Sequence, residues 1–311
     1  CPEFHAMKKI ALVVLLALCA LLWTFTPSPL KPIPQLAATL PEATPPAGMS
    51  LSALPTGVMH SKAALAYRGG SILEPRDFAM TAILVKHPKG NLLFDTGLGQ
   101  QVDEQVKTLP KLMQATTTYT KGVPAAIQLA AAKQKVDGIV LTHAHWDHVS
   151  GLDSLKNIPI WISAPEQAFI ASDHEAAALA HSFGKLNYRL YGFDDGPYLG
   201  FASSYDVWGD GSVVLVPSPG HTPGSVIAFI TLPSGARYAL LGDLVWQKEG
   251  IDLPAERPWI ARYLIGEDSA KVRESILHMA ALQKAFPEMK LLPAHDARVM
   301  ATLPVFPAVK E

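Results

Sequence analysis

The chain has 311 residues, of which 49% are hydrophobic and 17% are charged, and its formal net charge is -1. This length and composition allow one large folded domain or two fused halves, and they exclude a disordered protein. Because a nearly neutral chain has no overall field that would attract nucleic acid, we expect no nucleic-acid partner.

Cysteine is rare in this sequence. The two cysteines are Cys1 and Cys19, and both precede the part of the chain that is predicted to fold. We therefore expect neither a disulfide framework nor a cysteine-rich zinc site in the folded part.

The N-terminal region has the pattern of a secretory leader. Residues 1–6 precede Met7 and are predicted to be a remnant of cloning. Lys8 and Lys9, followed by the apolar residues 10–23, indicate a signal peptide or an N-terminal anchor over residues 7–25. Since no clear cleavage site follows, both alternatives stay open. We expect an exported protein, either periplasmic or tethered to a membrane through its N-terminus and facing outward.

A proline-rich segment comes next. Residues 26–50 contain seven prolines, which remove backbone donors and favour an extended, semi-rigid linker. This linker is expected to hold the domain away from the membrane or to be cut away. The catalytic domain is predicted over residues 51–311.

In the first half of this domain, β-branched and apolar runs predict strands, and alanine-rich or amphipathic runs predict helices. The predicted strands are residues 58–67, 80–87, 91–94, 139–142 and 159–163. The predicted helices are residues 100–114 and 124–135, with one or two more within 164–181.

The second half is predicted to repeat this plan. The predicted strands are residues 213–217, 225–232, 237–241 and 290–292, residues 244–266 are a predicted loop, and a predicted helix at 269–286 is capped by Asp268. In each half, strands are followed by helices and then by a strand. Candidate metal ligands directly follow that last strand. We therefore predict an α/β fold in which the sheets of two βα halves face each other, with helices outside.

Four candidate metal ligands directly follow the strand predicted at 139–142, namely His143, His145, Asp147 and His148. Imidazole and carboxylate together suit zinc and similar divalent ions. On extended chain His143 and His145 point to the same side and can hold one ion, while Asp147 and His148 turn toward a second. The alternative is a polar loop with surface histidines, but such loops rarely hold three histidines and an aspartate in six residues.

Further candidates lie at the ends of other predicted strands. His221, Asp243 and His295 follow strands of the second half, and Asp95 opens an Asp-Thr-Gly sequence in the first half. Singly, each is typical of an ordinary loop or turn. An aspartic protease would need two Asp-Thr-Gly aspartates that share a proton, and because one is present that interpretation is excluded.

The order His-x-His-x-Asp-His, His, Asp, His resembles the metallo-β-lactamase superfamily, over about residues 58–305. The resemblance implies an αβ/βα four-layer sandwich with a two-metal site at the edge of the paired sheets. It assigns His143, His145 and His221 to the first metal, Asp147, His148 and His295 to the second, Asp243 to a bridge between both, and Asp95 to a hydrogen bond that fixes a ligand imidazole. Asp147 and Asp243 are the predicted catalytic carboxylates.

The expected cofactors are two divalent ions, with Zn²⁺ the first choice. Two such ions can share a water, lower its pKa and present a bridging hydroxide to a carbonyl or phosphoryl centre, so the expected reaction is hydrolysis. The best-known β-lactamases of this fold use a cysteine on the second metal, where this sequence has Asp243. Opening of β-lactams is therefore disfavoured, although it remains an alternative.

Within the superfamily, the sequences around His221 and His295 are most similar to the N-acyl-homoserine lactonases, which degrade bacterial quorum signals. An exported phosphotriesterase or aryl esterase is the first alternative, and a non-hydrolytic metal-binding protein is an alternative of another class. These lactonases carry a tyrosine three residues after the bridging aspartate, where this sequence has Trp246. Trp246, Trp259 and Tyr263 are predicted to form an apolar wall for the acyl or aryl group of a small-molecule substrate, with core packing as the other interpretation.

Overall fold

The computed structural model of the chain describes residues 2–36 and 38–311. Residue 1 of the predicted cloning remnant and residue 37 of the predicted linker lie outside the described residues. The strands are β1 (Ser50–Lys62), β2 (Pro75–Lys86), β3 (Leu92–Phe94), β4 (Thr118–Lys121), β5 (Gly138–Val140), β6 (Ile160–Ser163), β7 (Tyr188–Tyr191), β8 (Tyr205–Asp206), β9 (Val213–Pro217), β10 (Val226–Thr231), β11 (Arg237–Leu240) and β12 (Lys290–Leu292).

Most of the α-helices are short. They are α1 (Pro2–Trp23), α2 (Ala63–Ala66), α3 (Val102–Gln105), α4 (Lys111–Thr116), α5 (Ala125–Ala131), α6 (Trp146–Val149), α7 (Leu152–Leu155), α8 (Ala164–Ala171), α9 (Ala178–Ser182), α10 (Glu249–Asp252), α11 (Trp259–Ile265), α12 (Ser269–Ala285) and α13 (Ala297–Met300). Two 3-10 turns, Val106–Thr108 and Glu175–Ala177, lie between them.

The strands of the described residues form two sheets. The first has the order β4-β1-β2-β3-β5-β6-β7 and the second the order β12-β11-β10-β9-β8. β1 pairs with β2 and β4, and β2 with β3, in the antiparallel sense, whereas β3, β5, β6 and β7 run parallel. The parallel strands β5 and β6 are buried along their whole length, which explains their continuous apolar sequences.

The two sheets pack face to face. Between them lies one apolar cluster, to which the first sheet contributes Val85 and Val140 and the second contributes Leu215 and Leu240. The neighbouring residue on a strand points the other way, so Val216 packs with Ile276 of α12 in a separate outer cluster. A third cluster lies on the outer face of the first sheet. The predicted αβ/βα sandwich is confirmed.

Several predicted elements need correction. Residues 100–114 do not form one helix, because Pro110 holds Leu109 in an extended conformation and separates α3 from α4. The predicted loop 244–266 contains α10 and α11, the latter ending at Gly266, whose φ of 73 suits glycine. Strands β4 and β7 were not predicted, since β4 is a largely exposed polar sequence and lacks an apolar run.

The N-terminal segment makes hydrogen bonds to the domain. Thr24 Oγ1 accepts a hydrogen bond from Trp259 N–H at 2.6 Å, and Leu30 N–H donates to Pro254 O at 2.8 Å. Further along, Arg237 donates to Pro41 O at 2.8 Å. The segment therefore lies against the domain, because its carbonyl groups and its few free N–H groups find partners there. No helix among the described residues is long and apolar enough to cross a membrane.

Candidate metal centre

The predicted ligands meet at one end of the two sheets. His143 and His145 follow β5 in a loop, and Asp147 and His148 lie within the short helix α6. The other three ligands follow strands of the second sheet: His221 lies between β9 and β10, Asp243 after β11, and His295 after β12. All seven side chains are buried.

The ligand atoms form three overlapping groups, and within each group they lie within 4.8 Å of one another. The groups are His143, His145 and His221; His143, His148 and Asp243; and Asp147, His148 and His295. The first and the third contain the same residues as the two ligand sets that the resemblance implies. The structure thus brings all seven predicted ligands into one cluster.

The carboxylate of Asp243 lies at the centre of this cluster. Its Oδ1 is 3.1 Å from His148 Nε2 and 3.0 Å from His295 Nε2. Its Oδ2 is 3.3 Å from His221 Nε2 and 3.9 Å from His143 Nε2. Oδ2 also lies 3.2 Å from His295 Nε2. The carboxylate therefore contacts histidines of both ligand sets, which is the position that a bridging ligand must occupy.

The unpaired atoms of the cluster fit a metal ion. Among the described residues, the Nε2 atoms of His143, His145 and His221 are buried without a hydrogen-bond partner. A buried polar atom without a partner costs about 1–3 kcal/mol. Three imidazole nitrogens that converge with a carboxylate are a common donor set for zinc. A bound cation would satisfy all of these atoms at once.

The pKa directions of His143, His145 and Asp243 agree with metal binding. Burial, and next the charge of His148, hold the pKa of His143 well below its usual value. Burial also lowers the pKa of His145 well below the usual value. Burial would raise the pKa of Asp243, but His295 and His148 outweigh it and hold that pKa well below normal. Neutral imidazole and ionised carboxylate are the forms that bind cations. At His148 and His295 burial would lower the pKa, but the charge of Asp243, joined at His148 by that of Asp95, outweighs burial and raises it.

Two hydrogen bonds orient ligands of the second set. Asp95 Oδ2 lies 2.8 Å from His148 Nδ1 and also accepts from Thr142 Oγ1 at 2.8 Å. His295 Nδ1 is 2.9 Å from Ala79 O, to which it donates as Nδ1–H. In both rings a bond at Nδ1 directs Nε2 toward the cluster. Asp95 is therefore placed where the sequence interpretation expected it.

Glu166 on α8 was not identified from the sequence. This fully buried carboxylate accepts from Ala144 N–H at 2.6 Å, Thr222 Oγ1–H at 2.8 Å and Gly224 N–H at 2.9 Å. It joins the loop that carries the first two histidines to the loop of His221. Burial raises its pKa, against the effect of these hydrogen bonds. No motif surrounds it, so its role is visible only once the loops meet.

Arg257 and Glu267 form a second brace that the sequence did not reveal. They make a buried ion pair, and Arg257 Nη1 donates to Asp243 O at 2.8 Å. Glu267 Oε2 lies 3.8 Å from His221 Nδ1. Burial would raise the pKa of Glu267, but the charge of Arg257 lowers it to about 2. The pair holds the loops of two predicted ligands. Arg257 belongs to the stretch that was predicted to be a plain loop, and Glu267 directly follows that stretch.

The predicted pocket residues have separate surroundings. Trp246 Nε1–H donates to Asp243 Oδ2 at 2.8 Å, and its ring lies 4.8 Å from the Arg257 guanidinium and 5.7 Å from Phe78. Trp259 is 41% exposed and Tyr263 is 77% exposed on α11. Trp246 is thus a direct partner of the central carboxylate, and the assignment of the other two to a substrate pocket stays a prediction.

Comparison with known proteins gives matches over most of the domain. The model of the metallo-beta-lactamase superfamily matches residues 76–295, more than half of the chain. A probable metallo-hydrolase of Mycobacterium tuberculosis is 29% identical over 234 residues, which are 69% of this chain and 73% of the relative. A metallo-hydrolase of Annulohypoxylon moriforme is 25% identical over 166 residues, which are 47% of this chain and 42% of that protein.

Solved structures have the same fold. An N-acyl homoserine lactone hydrolase with the product N-hexanoyl-L-homoserine at its catalytic metal centre is 19% identical, with a TM-score of 0.66 over 84% of this chain and 98% of that chain. A dizinc quorum-quenching lactonase is 15% identical, with a TM-score of 0.53 over 86% and 92%. A hydrolase named AbOPH, described as in the beta lactamase superfamily, is 18% identical, with a TM-score of 0.52 over 87% and 92%.

The contacts of Glu166 give a first prediction. In Glu166→Gln an amide NH₂ must face the N–H and O–H donors that now share the carboxylate, so the two histidine loops should separate. We expect the affinity for Zn²⁺ to fall by about 10–100-fold. Competition with a chromophoric chelator measures it. The control is Glu175→Gln, the same change at an exposed glutamate. Equal affinities for both variants would contradict the bracing role.

Trp246→Phe gives a second prediction. The phenyl ring keeps most of the packing but removes the hydrogen bond to Asp243, so we expect weaker metal binding and a lower kcat at nearly constant KM. A role limited to packing against substrate would raise KM and leave kcat intact. Steady-state kinetics at fixed metal loading distinguish the two. Trp208→Phe, which alters an indole stacked on His87, serves as the control.

Proposed function

The chain belongs to the metallo-beta-lactamase superfamily and is a metal-dependent hydrolase, and we propose that it uses two metal ions to open a lactone or cleave an ester. The observation that carries this proposal is the position of Asp243. Its carboxylate lies within hydrogen-bonding distance of His221 of the first set and of His148 and His295 of the second, an arrangement that a single-metal site does not need.

Two divalent ions, for which we propose Zn²⁺, would supply a water of lowered pKa and polarise the acyl oxygen of the substrate. The protein supplies the geometry. His143, His145 and His221 would hold one ion and Asp147, His148 and His295 the other. Asp243 fixes the separation of the two sets, and Trp246 orients Asp243 through its N–H. The burial of all these groups limits access of bulk water.

For the substrate we propose an uncharged acyl lactone, with N-acyl-homoserine lactone and hence quorum quenching as the first candidate. The folds of the lactonases support this choice, since one of them holds a homoserine product at its metal centre. A carboxylate at position 243, where known β-lactamases carry cysteine, disfavours β-lactams. Export to the periplasm or to a membrane surface, proposed from residues 7–25, would place the enzyme where such signals diffuse.

An aryl ester or phosphotriester is the second candidate, and Trp246 favours it. The indole N–H already donates to Asp243, and an indole does not release a proton as a phenol can. Trp246 therefore cannot replace a tyrosine hydroxyl that assists at the ring oxygen of a lactone. Substrates with better leaving groups need no such assistance, because aryloxide departs without a proton.

Metal stoichiometry tests the two-ion proposal. Zinc-loaded protein should contain two ions per chain, and Asp243→Ala should lose the second ion together with most turnover, because both ligand sets contact this carboxylate. Mass spectrometry under native conditions counts the ions. Asp173→Ala, at an exposed aspartate, should retain both. A fully active protein that holds one ion after loading would overturn the dinuclear mechanism.

A substrate panel tests the reaction class. We expect turnover of N-hexanoyl-homoserine lactone or an aryl acetate to exceed that of a cephalosporin by at least about tenfold in kcat/KM, equivalent to about 1.4 kcal/mol of transition-state stabilisation. A phosphotriester is the fourth member. Titration of released acid follows the lactone, and absorbance follows the others. If a cephalosporin were the best substrate, the proposal would be refuted. The variant His145→Ala is the control for activity from contaminating esterases.

A further inference from the structure

Residues 10–23 of helix α1 are apolar on every side, and their described side chains pack little on the domain. The large apolar side chains of α1 between Met7 and Trp23, with Leu21 left aside, are 51% to 67% exposed. Lys8 and Lys9 lie at its N-terminal end. A helix that is hydrophobic all round is stable when apolar groups surround it. The catalytic domain does not provide such surroundings for the described side chains of α1. An apolar environment outside the domain is therefore needed to cover them.

The junction of α1 with the domain is rigid. Arg68 donates to Trp23 O at 3.1 Å and to Thr26 O at 3.2 Å, and its guanidinium lies 4.6 Å from the centre of the Trp23 ring. Phe25 O accepts from Gly69 N–H at 2.9 Å, and Thr24 is buried. The end of α1 is therefore held in one orientation against the protein, unlike a helix on a flexible tether.

Exposed apolar side chains lie on the two chain segments that contact this junction. We call them the exit face, and they are Ile72, Leu73, Leu253, Trp259, Tyr263 and Leu264, which are 39% to 83% exposed. They belong to two chain segments, and hydrogen bonds join both of these to the junction. Residues 68–74 bind Phe25 through Gly69, and residues 253–264 bind Thr24 through Trp259 and Leu30 through Pro254.

We propose that the exit face rests on a phospholipid bilayer that also covers the apolar side chains of α1. Tryptophan and tyrosine are enriched where protein meets the headgroup region, because their rings are apolar and carry one polar group. Trp23, Trp259 and Tyr263 place such rings around the point where the apolar helix leaves the domain. Clustered exposed apolar groups mark an interaction surface. Both segments are hydrogen-bonded to the chain directly after the exposed apolar helix, which favours lipid as the occupant over a second copy of the chain.

Amide hydrogen exchange on the full chain, with and without vesicles of phosphatidylcholine and phosphatidylglycerol, tests the proposal. Vesicles should slow exchange in α1 and also, by roughly tenfold, in residues 70–74 and 259–265. Residues 111–116, where Leu112 is 54% exposed, are the internal control and should not change. Slowing confined to α1, or absent everywhere, would overturn the exit face. If amide exchange in the exit face slowed without vesicles, and slowed further as the protein concentration rose, the exit face would be a contact with a second copy of the chain and the lipid proposal would be wrong.

Matched variants separate lipid contact from folding. In the double variant Trp259→Ser and Tyr263→Ser, the vesicle effect on residues 70–74 should be lost while α1 retains its own. Leu112→Ser should keep both effects, because it removes an apolar group of similar exposure away from the exit face. An unchanged vesicle effect at 70–74 in the double variant would refute the role of the aromatic rings. Thermal unfolding of each variant verifies that the fold is retained.

Discussion

The structure depends on the burial of a cluster of metal-ligand candidates whose polar atoms do not all find hydrogen-bond partners within the cluster. Seven histidine and aspartate side chains converge at the edge of an apolar sandwich, and three imidazole nitrogens there lack a partner among the described atoms. The carboxylate of Asp243 brings a negative charge into this buried place, which is costly without cations. The site therefore requires both a metal and loops rigid enough to hold the ligands apart until it binds.

Charged braces provide that rigidity. Glu166 joins the loop of His143 and His145 to the loop of His221, and the Arg257–Glu267 pair joins the loops of His221 and Asp243. Both braces are buried, and both bind backbone groups, which fixes the loops themselves. Because Glu166 joins a loop that follows a strand of the first sheet to a loop between strands of the second, this brace also opposes sliding of one half of the sandwich over the other.

The sequence predicts the ligands far better than their supports. Asp147 and His148 lie next to two other ligands in the chain, so spacing alone indicates a site. Glu166 binds partners that are 22 and 58 residues away in the chain. The sequence around Glu166 has no motif that indicates these contacts. The apolar strands β9, β10 and β11 and the helix α12 were predicted because their patterns are strong. The strand predicted at 58–67 was wrong in its bounds, since β1 covers Ser50–Lys62 and α2 follows it. The short helices α10 and α11 and the edge strand β4 were missed, since tertiary contacts and not propensity stabilise them.

Residues 244–266 show why an aromatic, proline-rich stretch resists such analysis. Three residues of the stretch make hydrogen bonds to groups outside it. Trp246 donates to the Asp243 carboxylate, Arg257 donates to the Asp243 carbonyl oxygen, and Trp259 donates to Thr24 of the N-terminal segment. Each contact fixes the chain at one point, and the requirement to reach all three prevents one long helix. The same contacts connect the N-terminal segment physically to the central carboxylate, since Arg257 and Trp259 are two residues apart. Movement of the junction at Thr24 must therefore be absorbed within this short stretch or be transmitted to the metal ligands.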